Sequence, residues 1–289
     1  MKITPFQALA CPLDGTPLHN HGATWRCAAG HSFDVAGQGY THLLPVQRKR
    51  SLDPGDSKEM VAARRRFLNA GHYQPIAATV SRAALTDMLM TRATISCLDA
   101  GSGEGYYLRQ LATAPTSRQS LALLGVDISK WAVLAAAKQD KRPNWVVGSN
   151  ANLPVRSGTL DRILCLFGFP VYSEFARVLK AGGQLLQVDA GPEHLRELRE
   201  VIYPTLKPER PSEVQVPAHF SLLATESIRY PLAINGPEQI ADLLAMTPHF
   251  YRASAEGRAK AAALTTIDLT VDVRLTRFAQ NFGADSPHG

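Results

Sequence analysis

The stretch Cys97–Leu111, CLDAGSGEGYYLRQL, joins a short apolar run to an aspartate and three glycines at alternate positions. The run TISCLDAG predicts a β-strand that ends at Asp99, and the residues after Gly105 predict a helix. Glycines between a strand and a helix permit a tight turn and let a ligand approach the backbone closely. This stretch therefore predicts a ligand-binding strand–loop–helix unit.

From residue 76 onward, strand-like and helix-like segments alternate. LALLGVDI, RILCLFGF and GQLLQVDAG are short apolar runs typical of buried strands, whereas KWAVLAAAKQD and YSEFARVLKAG are predicted helices. This alternation predicts the α/β fold class, with a Rossmann-like, doubly wound and mostly parallel sheet. In such sheets ligands bind at the carboxyl ends of the strands, which is where the glycines lie.

The glycine spacing indicates which cofactor binds. The order D-x-G-x-G-x-G, with Asp99, Gly101 and Gly103, resembles the first motif of the class I S-adenosylmethionine-dependent methyltransferases, whereas a nicotinamide cofactor would favour G-x-G-x-x-G. Asp127 ends the second strand and can accept hydrogen bonds from two ribose hydroxyls, or it caps the helix that follows. Asn150 and Ala151 follow the third strand, where the adenine edge would lie.

Composition and charge restrict the class of protein. The chain has 289 residues, 45% apolar and 19% charged, so it can bury the core of one large domain and a small appendage. The formal charge is +6 overall, and residues 1–72 hold nine basic and five acidic residues, a local charge of +4. This charge favours phosphate contacts from Arg48, Lys49, Arg50 and Arg64, and a solvated polar face is the alternative.

The chain contains no apolar run of the ~18 residues that a membrane span needs. The N-terminus has no apolar core or cleavage site typical of a signal peptide. Four scattered cysteines are too few for a disulfide framework. We therefore expect a cytoplasmic protein without a membrane partner.

The N-terminal segment has the composition of a small metal-binding module. Cys11, Cys27 and His31 have spacings typical of zinc ligands, but Asp14 stands where a second cysteine would complete a Cys-x-x-Cys pair. The fourth ligand could instead be His19, His21 or a water molecule. A module that holds no metal is a further alternative. The sequence predicts three segments: a knuckle module (1–40), a basic linker and helix (41–75), and the α/β domain (76–289). The linker helix is expected at 58–69, capped by Asp56 or Ser57.

Several stretches together resemble one family. They are CPL, GHSFD, GYTHLLPVQRKRSLDPGDSKEMVAARRRFLNAGHYQP, DAGSGEGYY, FARVLKAGG, GPEHLRELR and LLAMTP, in this order from about residue 11 to 250. Through them the chain resembles the bacterial 23S rRNA (guanine-N1)-methyltransferases, which modify a hairpin loop. The resemblance implies an S-adenosylmethionine-dependent enzyme, a zinc-binding module, a homodimer with an RNA-binding cleft, and 23S rRNA as the partner.

The resemblance also assigns roles to single residues. It implies cofactor contacts at Tyr73, Gly103, Glu104 and His194. It aligns the family's Cys-x-x-Cys and Cys-x-x-x-His pairs with Cys11, Asp14, Cys27 and His31, which makes Asp14 the fourth zinc ligand. No residue is assigned as a general base for the guanine N1 proton.

One segment departs from the family pattern. After the fourth strand the family has a short Pro-containing stretch, and here Phe167 and Phe169 precede Pro170. These rings are expected to stack on a flipped guanine, or to be ordinary core at a strand end. The departure leaves open a methyltransferase for another RNA site or a small molecule. A non-catalytic RNA-binding protein is a third hypothesis, which the intact glycine loop disfavours.

Overall fold

The computed structural model describes residues 2–45, 53–86, 94–114, 120–206 and 214–281. Its strands are β1 (Lys2–Thr4), β2 (His19–Asn20), β3 (Thr24–Arg26), β4 (Ser32–Asp34), β5 (Tyr40–His42), β6 (Thr94–Ala100), β7 (Ser120–Asp127), β8 (Asn144–Val147), β9 (Leu160–Leu166), β10 (Leu179–Ala190), β11 (Phe220–Asn235) and β12 (Thr266–Gln280). Its helices are α1 (Lys58–Asn69), α2 (Gln74–Leu85), α3 (Tyr106–Thr113), α4 (Lys130–Gln139), α5 (Tyr172–Val178), α6 (Arg196–Ile202), α7 (Pro237–Met246), α8 (His249–Arg252) and α9 (Ala255–Ala262).

A nine-stranded sheet forms the centre of the described chain. Its order is β11-β12-β10-β9-β6-β7-β8-β5, and β1 pairs with the start of β7. Strands β5 to β10 and β1 pair in parallel, whereas β12 is antiparallel to both β10 and β11. The predicted Rossmann-like, mostly parallel α/β fold is therefore confirmed. The carboxyl ends of β6, β7 and β9 meet at one edge of the sheet, as this fold requires.

The long strands β11 and β12 have no counterpart in the sequence-based prediction. Most residues of β11 are exposed, and its buried positions follow no regular alternation. A strand with so few buried side chains lacks the period-two apolar pattern by which strands are recognised. Pairing with β12 over most of its length defines β11 instead.

The linker helix is confirmed at the predicted residues. α1 begins after Ser57, whose hydroxyl accepts a hydrogen bond from the backbone N–H of Met60. Gly71 follows the helix with a φ of +87°, a conformation that glycine adopts at little cost. Ser57 is thus the N-cap, which decides between the two candidates.

The helix predicted over YSEFARVLKAG is longer than the observed helix α5. α5 ends at Val178, and Leu179 already pairs with Leu160 of β9. The ladder is irregular between Leu179 and Gln184, and Gly182 within this irregularity has a φ of +71°. Burial of Leu179 between strands prevails over the helical propensity of the segment.

The N-terminal residues form a small antiparallel sheet, β2-β3-β4, beside the large one. Leu9, Leu18 and Trp25 are buried in a hydrophobic cluster that also contains Ile163 and Leu185 of the central strands. Since β1 and β5 also belong to the large sheet, the metal module packs directly on the α/β core. Among the helices in the described ranges, none has the length and apolarity to span a bilayer.

Candidate cofactor and metal sites

The glycine loop lies at the carboxyl end of β6. The backbone N–H groups of Gly101 and Ser102 donate to the carbonyl of Val126, at 2.8 and 3.0 Å, which fixes the loop on β7. Gly101 has a φ of +87°, and a Cβ placed on it would meet no atom of the described chain within 4 Å. The space above Gly101 is therefore open to a ligand.

Asp127 connects the glycine loop to the next helix. One carboxylate oxygen accepts the N–H of Gly103 and the other accepts the N–H of Ser129, both at 2.8 Å. The N-cap of α4 is Ser129, not Asp127, because the Ser129 hydroxyl accepts from Ala132. Burial raises the pKa of Asp127, and the two N–H donors oppose that rise. A carboxylate held in this way has lone pairs left for ribose hydroxyls, and the ribose contact stays a prediction.

Asp99 is a buried carboxyl group beside the loop. It is 1% exposed, and its Oδ2 has no hydrogen-bond partner among the described residues. Burial, with a smaller contribution from Asp127, raises the pKa of Asp99 to about 8. A buried carboxyl without a partner is costly unless a cation or donor arrives. S-adenosylmethionine carries a sulfonium and an ammonium group, so Asp99 and the open space over Gly101 fit this cofactor.

The side chain of Glu104 has protein partners of its own. Its buried carboxylate pairs with Arg109 at 3.0 Å and also accepts from Gln139. The Glu104 carbonyl accepts a second hydrogen bond from Arg109 at 2.6 Å. The structure thus places the Glu104 carboxylate in an ion pair below the loop, and its predicted cofactor contact stays a prediction.

Tyr73 and His194 meet at the carboxyl edge although they are 121 positions apart. The Tyr73 hydroxyl lies 3.3 Å from His194 Nε2, and the backbone N–H of Asp272 donates to His194 Nδ1 at 3.3 Å. Because Nδ1 accepts, we assign the ring proton to Nε2, which donates to the tyrosine oxygen. Burial lowers the pKa of His194 to about 4, so the ring is neutral at pH 7. A neutral histidine with both nitrogens engaged is a positioning group and not a free base.

Phe167 completes an aromatic surface with these two residues. Its ring centroid lies 5.9 Å from that of His194 in a stacked arrangement and 6.1 Å from that of Tyr73. Phe167 has a φ of +53°, an uncommon value for a residue other than glycine, and its side chain is partly accessible. Residues held in this conformation often occur at functional sites. Phe167 therefore lies at the strand end but is not ordinary buried core.

Phe169 is 89% exposed, which also excludes a core role for its ring. Its carbonyl lies 3.5 Å from the side-chain amide nitrogen of Asn150. The N–H of Ala151 donates to the Ser149 hydroxyl at 3.2 Å, which shapes the loop after β8. The predicted adenine-edge loop and the segment after β9 are thus neighbours in the structure.

The four predicted metal ligands lie together. The ligand atoms of Cys11, Asp14, Cys27 and His31 are all within 4.8 Å of one another. The distances from His31 Nδ1 are 3.5 Å to Cys11 Sγ, 3.4 Å to Cys27 Sγ and 3.1 Å to Asp14 Oδ2, and Cys27 Sγ lies 3.6 Å from Asp14 Oδ2. Tetrahedral zinc with bonds of about 2.0–2.3 Å needs ligand separations of about 3.3–3.8 Å. The residues therefore fit zinc.

Asp14 is oriented toward this cluster by Thr16. Asp14 Oδ1 accepts the Thr16 N–H at 2.9 Å and the Thr16 hydroxyl at 2.6 Å, which leaves Oδ2 directed at the other ligands. These hydrogen bonds lower the pKa of Asp14, so the carboxylate is ionised as a metal ligand must be. In the described chain His19 and His21 are exposed and lie outside the cluster.

The predicted RNA-binding cations fall into two groups. Arg48, Lys49 and Arg50 lie outside the described residues. Arg64 pairs with Asp56, and its second terminal nitrogen donates to the carbonyl of Met246 at 3.1 Å. The RNA contacts of all four cations remain predictions.

Two site residues were not found from the sequence. Asp272 orients His194 through its backbone N–H, which no side-chain pattern can reveal. Asp56 was considered as a helix cap, but its carboxylate instead pairs with Arg64 beside the glycine loop. Asp56 and Arg64 are eight positions apart and lie on either side of the start of α1, so the i, i+3 or i, i+4 spacing of helical ion pairs does not reveal this pair.

The fold, the glycine loop and the four-ligand cluster define an S-adenosylmethionine-dependent methyltransferase with an N-terminal zinc ribbon. Comparison with family models agrees, because the model described as "RlmA, N-terminal", a zinc ribbon, matches residues 9–52 and one described as "Methyltransferase domain" matches residues 98–187. The chain belongs to the family of 23S rRNA (guanine-N1)-methyltransferases.

Two relatives carry this assignment. The 23S rRNA (guanine(748)-N(1))-methyltransferase of Streptomyces fradiae is 33% identical over 257 residues, covering 86% of this chain and 87% of the relative. A protein of Micromonospora griseorubida, assigned to the same guanine-N1 class, is 34% identical over 291 residues, covering 93% of this chain and 96% of the relative. Among solved structures, the YcgJ protein of Bacillus subtilis aligns with 73% of this chain and all of its own, at 20% identity and a TM-score of 0.44.

Proposed function

We propose that this protein transfers a methyl group from S-adenosylmethionine to N1 of a guanine in a hairpin loop of 23S rRNA. The observation that carries the proposal is the combination, on one chain, of a complete zinc-ligand set with a glycine-loop cofactor site. The names of the relatives support the choice of base and RNA. The cofactor, when bound, supplies an electrophilic methyl group on a sulfonium.

The residues of the chain would orient the reactants for this transfer. Gly101 leaves the backbone open to the cofactor, and Asp127 would hold its ribose. Phe167 and Phe169 would stack on the extruded guanine, since aromatic stacking is worth about 1–3 kcal/mol per base. A displacement reaction of this kind depends chiefly on orientation and exclusion of water. The guanine N1 proton must also leave, to water or to a side chain acting as a base, and no residue is assigned to that role.

The arrangement of the chain suggests further features of the proposal. Residues 1–40 would form the zinc module that contacts RNA, residues 41–75 the basic linker and helix, and residues 76–289 the methyltransferase domain. We also expect a homodimer in the cytoplasm. Size-exclusion chromatography with light scattering tests the dimer, and a mass of one chain would contradict it.

Methylation of ribosomal RNA tests the main proposal. The zinc-loaded protein is incubated with labelled S-adenosylmethionine and 23S rRNA from a strain that lacks its own guanine-N1 enzyme. We expect label at one hairpin guanine, identified as N1-methylguanine by nuclease digestion and mass spectrometry. A matched hairpin with inosine at other loop positions serves as the control for site choice. Lack of label in this rRNA would contradict the proposal.

A second candidate keeps the chemistry and changes the substrate to another RNA site or a small molecule. The Phe167–Pro170 segment favours it, because it departs from the family pattern at the place where the base would lie. Substitution of Arg48, Lys49 and Arg50 together separates the candidates. A large loss of turnover supports an RNA substrate, and unchanged turnover supports the small molecule.

A further inference from the structure

The segment that precedes α1 lies against the end of β7. The carbonyl of Asp56 accepts a hydrogen bond from the Ser129 hydroxyl at 2.7 Å, and Asp53 accepts one from the Trp131 ring at 2.7 Å. A Cβ on Gly55 would stand 2.8 Å from Ser129 Cβ and 2.9 Å from Ile128 Cγ2, so the backbone at Gly55 packs closely against these two residues. The linker is thereby fastened to the first turn of α4, directly after Asp127.

Arg64 extends this contact to the glycine loop. Its guanidinium pairs with the Asp56 carboxylate, and atoms of its side chain lie 3.6–3.7 Å from the position of a Cβ on Gly103. Gly103 is the residue whose N–H binds Asp127 at 2.8 Å. Burial is the main cause of the raised pKa of Asp127, and the nearby charges of Asp56 and Arg64 make smaller contributions of opposite sign. Arg64 thus packs beside Gly103, the residue whose N–H joins the loop to Asp127.

We propose that Arg64 is a positioning residue of the cofactor site, which holds Gly103 and Asp127 so that Asp127 presents its carboxylate to the cofactor ribose. A guanidinium suits this position because its five donors form a rigid fork that serves Asp56 and the Met246 carbonyl together. The inference rests on the cofactor of the proposed function and is independent of the RNA target. It differs from the sequence-based expectation, in which Arg64 contacts RNA.

Two other roles for Arg64 make different predictions. If it binds RNA phosphates, its loss weakens RNA binding and leaves cofactor binding intact. If it only fastens α1 to α7, then Arg66 has the same role, because Arg66 pairs with Asp242 of α7 at 2.8 Å. Arg65 is exposed and lies between them on the same helix. Arg66 and Arg65 therefore provide matched controls.

The experiment titrates S-adenosylhomocysteine into the full-length, zinc-loaded protein by calorimetry, without RNA. We expect Arg64→Gln to weaken binding about 10-fold or more, since a lost charge-assisted contact typically has an effect of this order. Arg65→Gln should stay within about twofold of wild type, and so should Arg66→Gln, although the latter lowers the melting temperature. Because no RNA is present, a wrong RNA substrate would not affect this result.

A double-mutant cycle with Asp127→Asn tests whether Arg64 acts through Asp127. The double variant should bind S-adenosylhomocysteine no more weakly than Asp127→Asn alone, because the two substitutions remove the same interaction with the cofactor. Arg64→Lys keeps the charge and is expected to lose less than Arg64→Gln, and it provides the measurement if the glutamine variant does not fold. Wild-type affinity in both Arg64 variants would overturn the proposal. Equal losses in Arg64→Gln and Arg66→Gln, or additive losses in the cycle, would overturn it too.

Discussion

The zinc cluster and the glycine loop both come from short stretches of sequence. Side-chain atoms form the cluster, whereas backbone atoms form the loop. Side chains form the cluster: four ligand atoms within 4.8 Å, brought from two turns of the N-terminal sheet. Backbone forms the loop: Gly101 and Ser102 bind the Val126 carbonyl, and Gly101 leaves the space above it open. The cluster should therefore be sensitive to loss of a side chain, and the loop to gain of one.

The aspartates of the two regions show the same difference in their protonation. Hydrogen bonds from Thr16 lower the pKa of Asp14, which is accessible and ready to bind a metal ion. Burial raises the pKa of Asp99 to about 8, so in the cofactor-free protein this carboxyl is largely protonated at pH 7. The Asp14 carboxyl is thus ionised before any ligand binds, whereas Asp99 would ionise at pH 7 only with a cation or a hydrogen-bond donor beside it.

Loss of a zinc ligand should have the largest effect. Cys27→Ser removes one of two thiolates, and structural zinc sites in small peptides contribute about 10–16 kcal/mol of binding free energy. We expect wild type to contain one zinc per chain and Cys27→Ser to contain far less, measured by elemental analysis. Because the module packs on the α/β core through one hydrophobic cluster, we expect the variant to unfold at a lower denaturant concentration as well.

Asp14→Cys supplies the matched change in the other direction. It creates the usual Cys-x-x-Cys pair, so we expect zinc to bind at least about 10-fold more tightly than in wild type, measured by competition with a chelator. Wild-type protein with well under one zinc per chain after purification in zinc would show that Asp14 does not complete the site.

Addition of one methyl group should break the loop. Gly105 has a φ of +83°, and a Cβ there would collide with the Trp145 ring, whereas a Cβ on Gly101 would meet open space. We expect Gly105→Ala to lower the free energy of unfolding by about 3 kcal/mol or more, from overpacking and backbone strain. Gly101→Ala should cost only about 1–2 kcal/mol, from strain at its positive φ.

Denaturant unfolding measures both glycine variants, and S-adenosylhomocysteine titration separates their effects on the site. Gly101→Ala places a methyl group in the open space that we predict for the cofactor, so it should lose affinity with little loss of stability. Equal stability losses in the two variants would mean that Trp145 yields to the new atom and that packing does not define the loop.

The sequence predicted what depends on local pattern. The helix cap at Asp56 or Ser57, and a strand end at Asp99 that lies one residue from the observed end at Ala100, are set by residues within a few positions of one another. The zinc ligands form two local pairs, 11/14 and 27/31, and each pair has a spacing that the sequence shows. The aromatic surface was predicted only in parts. His194 receives its orientation from the backbone of Asp272, 78 positions away, and such a contact leaves no trace in local composition.

Two other features required the folded chain. β1 and β5 belong to the large sheet because neighbouring strands leave their edges unpaired, a tertiary reason that three-residue segments cannot reveal. The end of α5 was misjudged since Leu179 pairs with Leu160, although its segment has good helical propensity. Local propensity indicated where α5 begins, but strand pairing with β9 determines where it ends.

The contrast between the two aspartates can be tested by pH. Asp99 has a pKa of about 8 in the folded protein and about 3.9 when unfolded, so the folded state binds more protons between these values. Stability is therefore lost as the pH rises through 8. From pH 7 to pH 8 we expect wild type to lose about 1 kcal/mol of unfolding free energy relative to Asp99→Asn. His194 contributes little in this window, because its pKa is below 7 in both states.

Urea unfolding of both proteins at each pH, without cofactor, measures this difference. If the free energy of unfolding changes with pH in the same way for Asp99→Asn and wild type, then Asp99 is already ionised in the folded protein. Asp268→Asn, at an exposed position of β12, is the control and should follow the wild-type profile in this range.

The smallest effect concerns a single hydrogen bond at the edge of the glycine-loop site. Tyr73→Phe removes the hydroxyl that accepts from His194 Nε2 and leaves the ring packing intact. The tyrosine proton is available to a cofactor, so we expect the variant to bind S-adenosylhomocysteine about 3–10-fold more weakly, which corresponds to one hydrogen bond of about 0.5–1.5 kcal/mol. Tyr203→Phe removes a similar bond, 2.9 Å to His249 Nδ1, and should change stability but not affinity. Equal affinities for Tyr73→Phe and wild type would mean that this hydroxyl only fixes His194.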